Sequence, residues 1–187
     1  KLIPEPCLAR HFWPDGSTLD LTDDHDRNAL AIARFSGTEA SHDYRRFSDQ
    51  ATRLYSMFRT PMMEAATPKI TALARAALSS PRDLPVLSPH GRLFRHLRKS
   101  FRDRRLAQLF GRYATYVGGS PLSSPALLAL IWHAEASGVW RVDGGMHRLA
   151  AGLADRFHAM GGELRLGTAV AELRANGNQI TGITLAS

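Results

Sequence analysis

With 187 residues, 44% of them hydrophobic, the chain can bury one sizeable core and is not composed like a disordered segment. A single cysteine, Cys7, excludes an intramolecular disulfide framework, and the longest apolar run, seven residues from Ala126 to Trp132, falls far short of the roughly 20 that a spanning helix needs. The net charge of +7 would invite nucleic acid, but seven cations against one acid between Arg92 and Arg105 supply six of those charges, and the rest of the chain is nearly neutral.

Residues 7–22, "CLARHFWPDGSTLDLT", predict two short strands around a Pro14-Asp15-Gly16 turn, with Leu19 and Leu21 alternating against polar neighbours. Two helices follow from Asp24 to about Phe58. The first carries Leu30 and Phe35; the second carries Tyr44, Phe47, Ala51, Leu54, Tyr55 and Phe58 at three- and four-residue steps, and Gly37 separates them. Thr67 as cap and Pro68 at the first position predict another helix, and the proline-rich residues 79–91 predict a loop.

From Arg92 to Arg102, Leu93, Phe94, Leu97 and Phe101 fall on one helical face, with Arg95, Arg98, Lys99 and Arg102 opposite. The phase breaks at Asp103, expected to cap a helix that turns Leu106, Leu109, Phe110 and Tyr113 inward. Gly118-Gly119-Ser120-Pro121 makes a turn. Ser124 as cap and Pro125 at the first position begin a helix expected to bury Leu127, Leu128 and Ile131 and to end at Gly138. A strand over about 139–142 leads through Gly144-Gly145 into a helix with Met146, Leu149, Ala150, Leu153 and Phe157 on one face. Gly161-Gly162 ends it, and the remainder alternates as strands with a hairpin at Asn176-Gly177.

No Gly-x-Gly-x-x-Gly, no phosphate-binding lysine loop, no Gly-x-Ser-x-Gly and no metal-spaced histidine or cysteine cluster occurs. His133, beside Trp132, reads as a structural imidazole before it reads as a catalytic one. Between Tyr113 and Trp140 only Glu135 is formally charged, so this stretch is a buried helix or the lining of a lipophilic tunnel, and both can hold together. The basic helix over 92–102 is either a solvated face over an ordinary core contact or a peripheral dock on an anionic membrane. Its two phenylalanines lie on the apolar side and not among the cations, which disfavours nucleic acid. Two glycines between a strand and a helix allow close backbone approach to a bulky or anionic group, or simply make a turn.

Residues 112–173 carry a further signal: Gly-Gly-x-Pro at Gly118 to Pro121, an apolar helix, Gly138-Val139-Trp140, then Gly-Gly opening a helix that ends in Gly-Gly before a strand. Upstream, "FWPDGSTLDLTDD" and "YRRFSDQATRLY" fit the same pattern. The sequence resembles the bacterial phytoene-desaturase family of FAD-dependent carotenoid desaturases over nearly its whole length. "GRYATYVGGSP" with "IWHAEA" brings it nearest to the members that desaturate hydroxy- or methoxy-neurosporene in phototrophic purple bacteria.

The resemblance implies an α+β fold, with a mostly helical substrate domain over residues 1–143 and a partial Rossmann-like FAD domain over 144–187. Family members are more than twice as long, so the chain is expected to be an internal piece, inactive by itself. The resemblance implies FAD contacts at Gly144, Gly145, Met146 and the backbone of Val170. It implies a lipophilic carotenoid substrate against Tyr113, Tyr116, Gly118, Gly119, Trp132, His133 and Trp140, a peripheral place on the cytoplasmic face of the bacterial inner membrane, and no nucleic-acid partner. Asp103 is the candidate catalytic residue, although the arginine that often follows at Asp-x-x-Leu-Arg is Ala107 here and a helix cap is the favoured account of the aspartate. Two alternatives stand beside this reading: another flavin enzyme of the amine or protoporphyrinogen oxidase type, and a non-catalytic carotenoid- or lipid-binding module.

Overall fold

The computed structural model describes residues 1–87 and 91–186. Strand β1 (Leu2–Pro4) comes first, and β2 (Ala9–Phe12) and β3 (Thr18–Leu21) form an antiparallel hairpin with Ala9 opposite Leu21 and Phe12 opposite Thr18. Asp24 caps α1 (His25–Ser36) by accepting from the amides of Asp26 and Arg27, and Gly37, at φ 88°, separates it from α2 (Thr38–Phe58). A π-helical turn at Arg59–Met63 extends α2. Next come α3 (Ile70–Leu78), a 3-10 turn at Pro81–Asp83, α4 (Leu84–Leu87), α5 (Leu93–Ser100) and α6 (Arg104–Gly111). Two 3-10 stretches, Arg112–Val117 and Ala126–Leu130, precede α7 (Ile131–Ala136) and β4 (Trp140–Val142). Helix α8 (Met146–Ala159) and the antiparallel pair β5 (Val170–Asn176) and β6 (Gln179–Leu185) complete the described chain.

The fold is α+β, with helices as the bulk and the strands in small two-stranded ladders. It divides into two compact units, Pro4–Trp140 and Lys1–Ile3 with Arg141–Ser187. The first three residues join the C-terminal unit because β1 pairs with β4, and the Asp143 amide donates to the Lys1 carbonyl at 2.9 Å.

In the Pro4–Trp140 unit the aromatic and leucine positions of α2, α5, α6 and α7 converge. Phe47, Phe101 and Phe110 stack within about 5 Å of one another, at 4.7 to 5.1 Å between ring centres, and Trp132 meets Phe110 edge-on at 5.4 Å. Leu93, Leu97, Leu106 and Tyr113 are fully buried around them. Burying each such side chain contributes about 1.5–3 kcal/mol before ordering entropy opposes it.

Several expectations shift. Lys69 keeps extended dihedrals (φ −102°, ψ 129°), so α3 starts at Ile70, with no cap from Thr67 and Pro68 outside the helix. Leu30 is exposed, because α1 turns Asn28, Ala29 and Ile32 inward. The proline-rich segment is not all loop: it holds the 3-10 turn and α4, while Ser88, Pro89 and His90 lie outside the described residues.

Pro125, not Ser124, occupies the cap position of the apolar segment, without a side-chain bond. Its 3-10 winding advances each residue further than an α-helix does, so Ala126, Ala129, Leu130 and Trp132 face the interior while Leu127, Leu128 and Ile131 are half-buried. Residues 163–166 pair with no strand among those described, and a strand exists only through a partner's hydrogen bonds. The hairpin loop is Gly177-Asn178, one residue later than expected, with Gly177 at φ 59°.

Candidate functional site

The glycine pair makes a sharp entry into α8. Gly144 and Gly145 hold φ of 76° and 85°, a region that L side chains rarely adopt, and the Gly145 amide donates to the Val142 carbonyl at 2.9 Å. A Cβ on Gly145 would meet nothing within 4 Å, so the turn is open on that side. The helix begins without a side-chain cap and without an acid in its first turn. The amides of Met146 and His147 therefore have no intrahelical acceptor and lie at the positive end of the helix dipole. In the same unit, a groove of about 660 Å³ is lined by Leu2, Val142, Leu149 and Leu153, with Lys1 and Arg148 opposed by Asp143 and Asp155. Val170 opens β5 with half its surface exposed.

The sequence-predicted substrate residues separate into two groups. Tyr113 and Trp132 are fully buried in the core, and the Trp132 indole donates to Ser48 Oγ at 3.0 Å; in this conformation they hold the fold and offer no surface to a ligand. Tyr116 and Trp140 are more than half exposed, and His133 is half-buried. The His133 ring lies 4.7 Å from that of Tyr55, with Nδ1 3.0 Å from Thr52 Oγ1, and burial first, then nearby His25, lowers its pKa. Gly118 adopts the left-handed conformation that ends the first long 3-10 stretch. Gly119 is required by close approach, because a Cβ there would stand 2.4 Å from Ser124 Oγ.

Asp103 is the cap of α6. Its Oδ1 accepts from the Arg105 amide at 2.7 Å, and Oδ2 accepts from Ser36 Oγ and from the Arg105 guanidinium at 2.9 Å. Burial alone would raise its pKa, but the bonds from Arg105 and Ser36 outweigh burial and hold it below the usual carboxylate range. Both oxygens are occupied, which leaves this group no proton to give and little tendency to take one.

Reading the sequence for motifs missed a polar cluster built on Glu135. Arg112 pairs with Glu135 through Nη2 and Oε1, and the Tyr116 hydroxyl donates to Glu135 Oε2 at 2.9 Å. The guanidinium also lies 4.8 Å from the centre of the Tyr113 ring. Burial, reinforced by Glu135, pushes the Tyr113 hydroxyl well above the ordinary tyrosine value and raises Tyr116 as well. A signal was present: one carboxylate alone in twenty-eight residues must be paired if it is buried, and Arg112 stands directly before that window.

The basic helix keeps Arg95, Lys99 and Arg102 exposed as expected, but Arg98 is half-buried with Nη1 buried and without a hydrogen-bond partner, and the apolar face is turned to the core. Leu93, Leu97 and Phe101 are at most 1% exposed, spent on the core, so insertion of this face into a membrane is excluded in this conformation. Arg92, Arg95 and Lys99 remain exposed and line a small pocket of about 90 Å³ with His96.

Residues 10–186 match the family described as flavin containing amine oxidoreductase. The chain belongs to that family. Within the flavin containing amine oxidoreductases it is 54% identical over 185 residues to a hydroxyneurosporene desaturase of Cereibacter sphaeroides, covering 99% of this chain and 37% of that protein. A hydroxyneurosporene desaturase of Rhodobacter capsulatus is 42% identical over 98% of this chain and 37% of its own length. A lycopene-forming phytoene desaturase of a Paracoccus species is 30% identical over 99% and 36% respectively. The chain thus spans little more than a third of the curated relatives it matches. The flavin that the family implies is compatible with what α8 presents: a turn open at Gly145 and covered at Gly144 by the Arg148 side chain, and amide donors without a side-chain cap, suited to an anionic or carbonyl acceptor.

Proposed function

We propose that this chain is part of an FAD-dependent carotenoid desaturase of the kind made by phototrophic bacteria, acting on an intermediate of hydroxy- or methoxy-neurosporene type and inactive as this stretch alone. The observation that carries the reading is the 54% identity to a hydroxyneurosporene desaturase along 99% of the chain. Gly144, Gly145 and the Met146 amide would hold part of the FAD, with the backbone of Val170 as a further contact.

When bound, a flavin supplies the acceptor for the hydride taken from one of two adjacent polyene carbons, and delocalised charge on the polyene lets the neighbouring proton leave to a weak base. The chain's own contribution is then positioning. Tyr116, Gly118, Gly119, His133 and Trp140 are the sequence-predicted substrate residues that keep accessible surface, and Asp103 stays outside the chemistry because both its oxygens are committed. Flavin titration combined with a polyene turnover assay, on this chain and on the full-length protein, tests the reading: flavin-dependent turnover is expected from the full-length protein only, and turnover by this chain alone would sink it.

The same reading places the protein peripherally on the cytoplasmic face of the bacterial inner membrane. Support comes from Arg92, at the N-terminal cap position of α5, and from Arg95 and Lys99 on it, all exposed and each contributing about 1 kcal/mol near an anionic surface. With the apolar face of α5 turned inward the attraction is electrostatic, so it should weaken with salt. Binding to anionic vesicles should drop when Arg95→Glu and Lys99→Glu are combined; unchanged binding removes the helix from the membrane contact.

A further inference from the structure

In the Pro4–Trp140 unit, α3 is apolar and yet buries none of its residues, although seven of its nine are Ile, Leu or Ala. Ile70, Ala74 and Leu78 follow one another at four-residue steps and are all exposed, Ile70 at 85% and Leu78 at 69%, so they form one stripe along the helix. Exposed apolar side chains border it at both ends, Met62 and Met63 in the π-helical turn and Leu84 at the start of α4, and α3 packs against both of these elements.

The charges around this stripe have one free sign. From Glu64 to Arg102 the sequence holds only two acids, Glu64 and Asp83. Glu64 is committed to Arg59 and Thr60, and Asp83 is buried against Ser80, Gln50 and Arg53. Lys69, directly before α3, and Arg75 within it are exposed, and their long stems can run past the apolar stripe to a polar layer. Pro85, the second residue of α4, lines the same small pocket as Arg92, Arg95 and Lys99, so the cations of α5 adjoin the apolar region.

An apolar stripe rimmed by cations and lacking a free acid fits the boundary of an anionic bilayer, where apolar side chains enter the acyl region and cations stay at headgroup level. A protein partner over the same stripe would have to supply acids to Lys69 and Arg75 or leave them unpaired on burial. Nine residues of helix reach about 14 Å, and no helix of the described residues is long and apolar enough to cross a membrane, so α3 would lie in the plane of the surface.

We infer that α3 inserts the stripe of Ile70, Ala74 and Leu78 into the boundary of an anionic bilayer, with Met62, Met63 and Leu84 beside it. The inference rests on the peripheral-membrane reading above and deepens it: α5 supplies a salt-sensitive attraction, and α3 an apolar anchor that salt does not screen.

Flotation of the full-length, flavin-loaded protein with vesicles of mixed phosphatidylcholine and phosphatidylglycerol, at low and high salt, tests it. The wild type should keep part of its binding at high salt. Ile70→Ser combined with Leu78→Ser should remove that part and weaken low-salt binding by about tenfold or more, with flavin content and turnover of a detergent-dispersed polyene unchanged. Ile70→Phe, which keeps the position apolar, should retain the salt-resistant part. Salt-resistant binding that survives the double serine replacement overturns the inference, as does wild-type binding that high salt abolishes; in both outcomes the electrostatic contact of α5 stands. A serine protein that loses flavin or changes its sedimenting mass shows that the rest of the full-length chain or a second copy covers the stripe, and overturns the inference too. Wild-type protein that binds these vesicles at no salt concentration overturns the membrane reading together with this inference and leaves the desaturase reading untouched.

Discussion

Glu135 and Gly119 show how far one position is decided by what faces it. Glu135 lies in an otherwise uncharged stretch and is 9% exposed, a placement that would be costly without Arg112 on one oxygen and Tyr116 on the other. Gly119 is small because Ser124 Oγ occupies the place of its missing Cβ, and no hydrogen-bond pattern in the sequence announces that contact. Gly119→Ala should therefore destabilise the helical unit by about 1–3 kcal/mol, read as a lower urea midpoint. Ser124→Ala on the same chain should recover much of the loss, because the next nearest atom, the Ala114 carbonyl oxygen, is 3.4 Å from the added Cβ. Equal losses with and without Ser124→Ala would rule out this contact as the cause.

Among elements, those with a strong period and a marked cap were legible from the residues. The hairpin of β2 and β3, α1, α2, α5, and α6 with its Asp103 cap all follow from local spacing. Segments without a clean α period were not: Ala126–Leu130 winds as 3-10 and turns a different set of residues inward. The turn at Pro81–Asp83 was hidden as well, since it is fixed by Asp83, fully buried and accepting from Ser80 Oγ at 2.7 Å and from Gln50 on α2 at 3.2 Å. Burial raises the Asp83 pKa, but Ser80, Gln50 and Arg53 outweigh it, leaving the folded value below the ordinary 3.8. Its contribution to stability is complete above 3.8 and is lost as pH falls through the lower folded value. Asp83→Asn should be clearly less stable than the wild type at pH 7, and the gap should narrow in titrations carried below the ordinary carboxylate value. A gap of constant size would show that this carboxylate does not hold the turn.

At the scale of the whole molecule, the Pro4–Trp140 unit closes over its own core, whereas the Arg141–Ser187 segment keeps its apolar positions in solvent. Met146, Leu149, Leu153 and Phe157 on α8 are 48% to 68% exposed, and Leu173, Ile180 and Ile183 on β5 and β6 are similarly open. An apolar surface of this kind favours association. This chain in isolation should self-associate, and replacing Met146 and Leu153 with serine should shift it toward the monomer in sedimentation while leaving the urea midpoint of the helical unit within about 0.5 kcal/mol of wild type. Sedimentation as a monomer without those replacements would contradict the exposure. The amino-acid sequence by itself determined the periodic helices, the capped boundaries, the glycine-paired entry to α8 and the family, because each is written in the spacing of neighbouring residues. Only the tertiary structure decided that Trp132 belongs to the core, that the apolar side of α5 is already occupied, and that Arg112, Tyr116 and Glu135 form one polar cluster. Those facts depend on contacts between residues up to more than a hundred positions apart, and spacing along a chain carries no record of which distant side chain fills a given space.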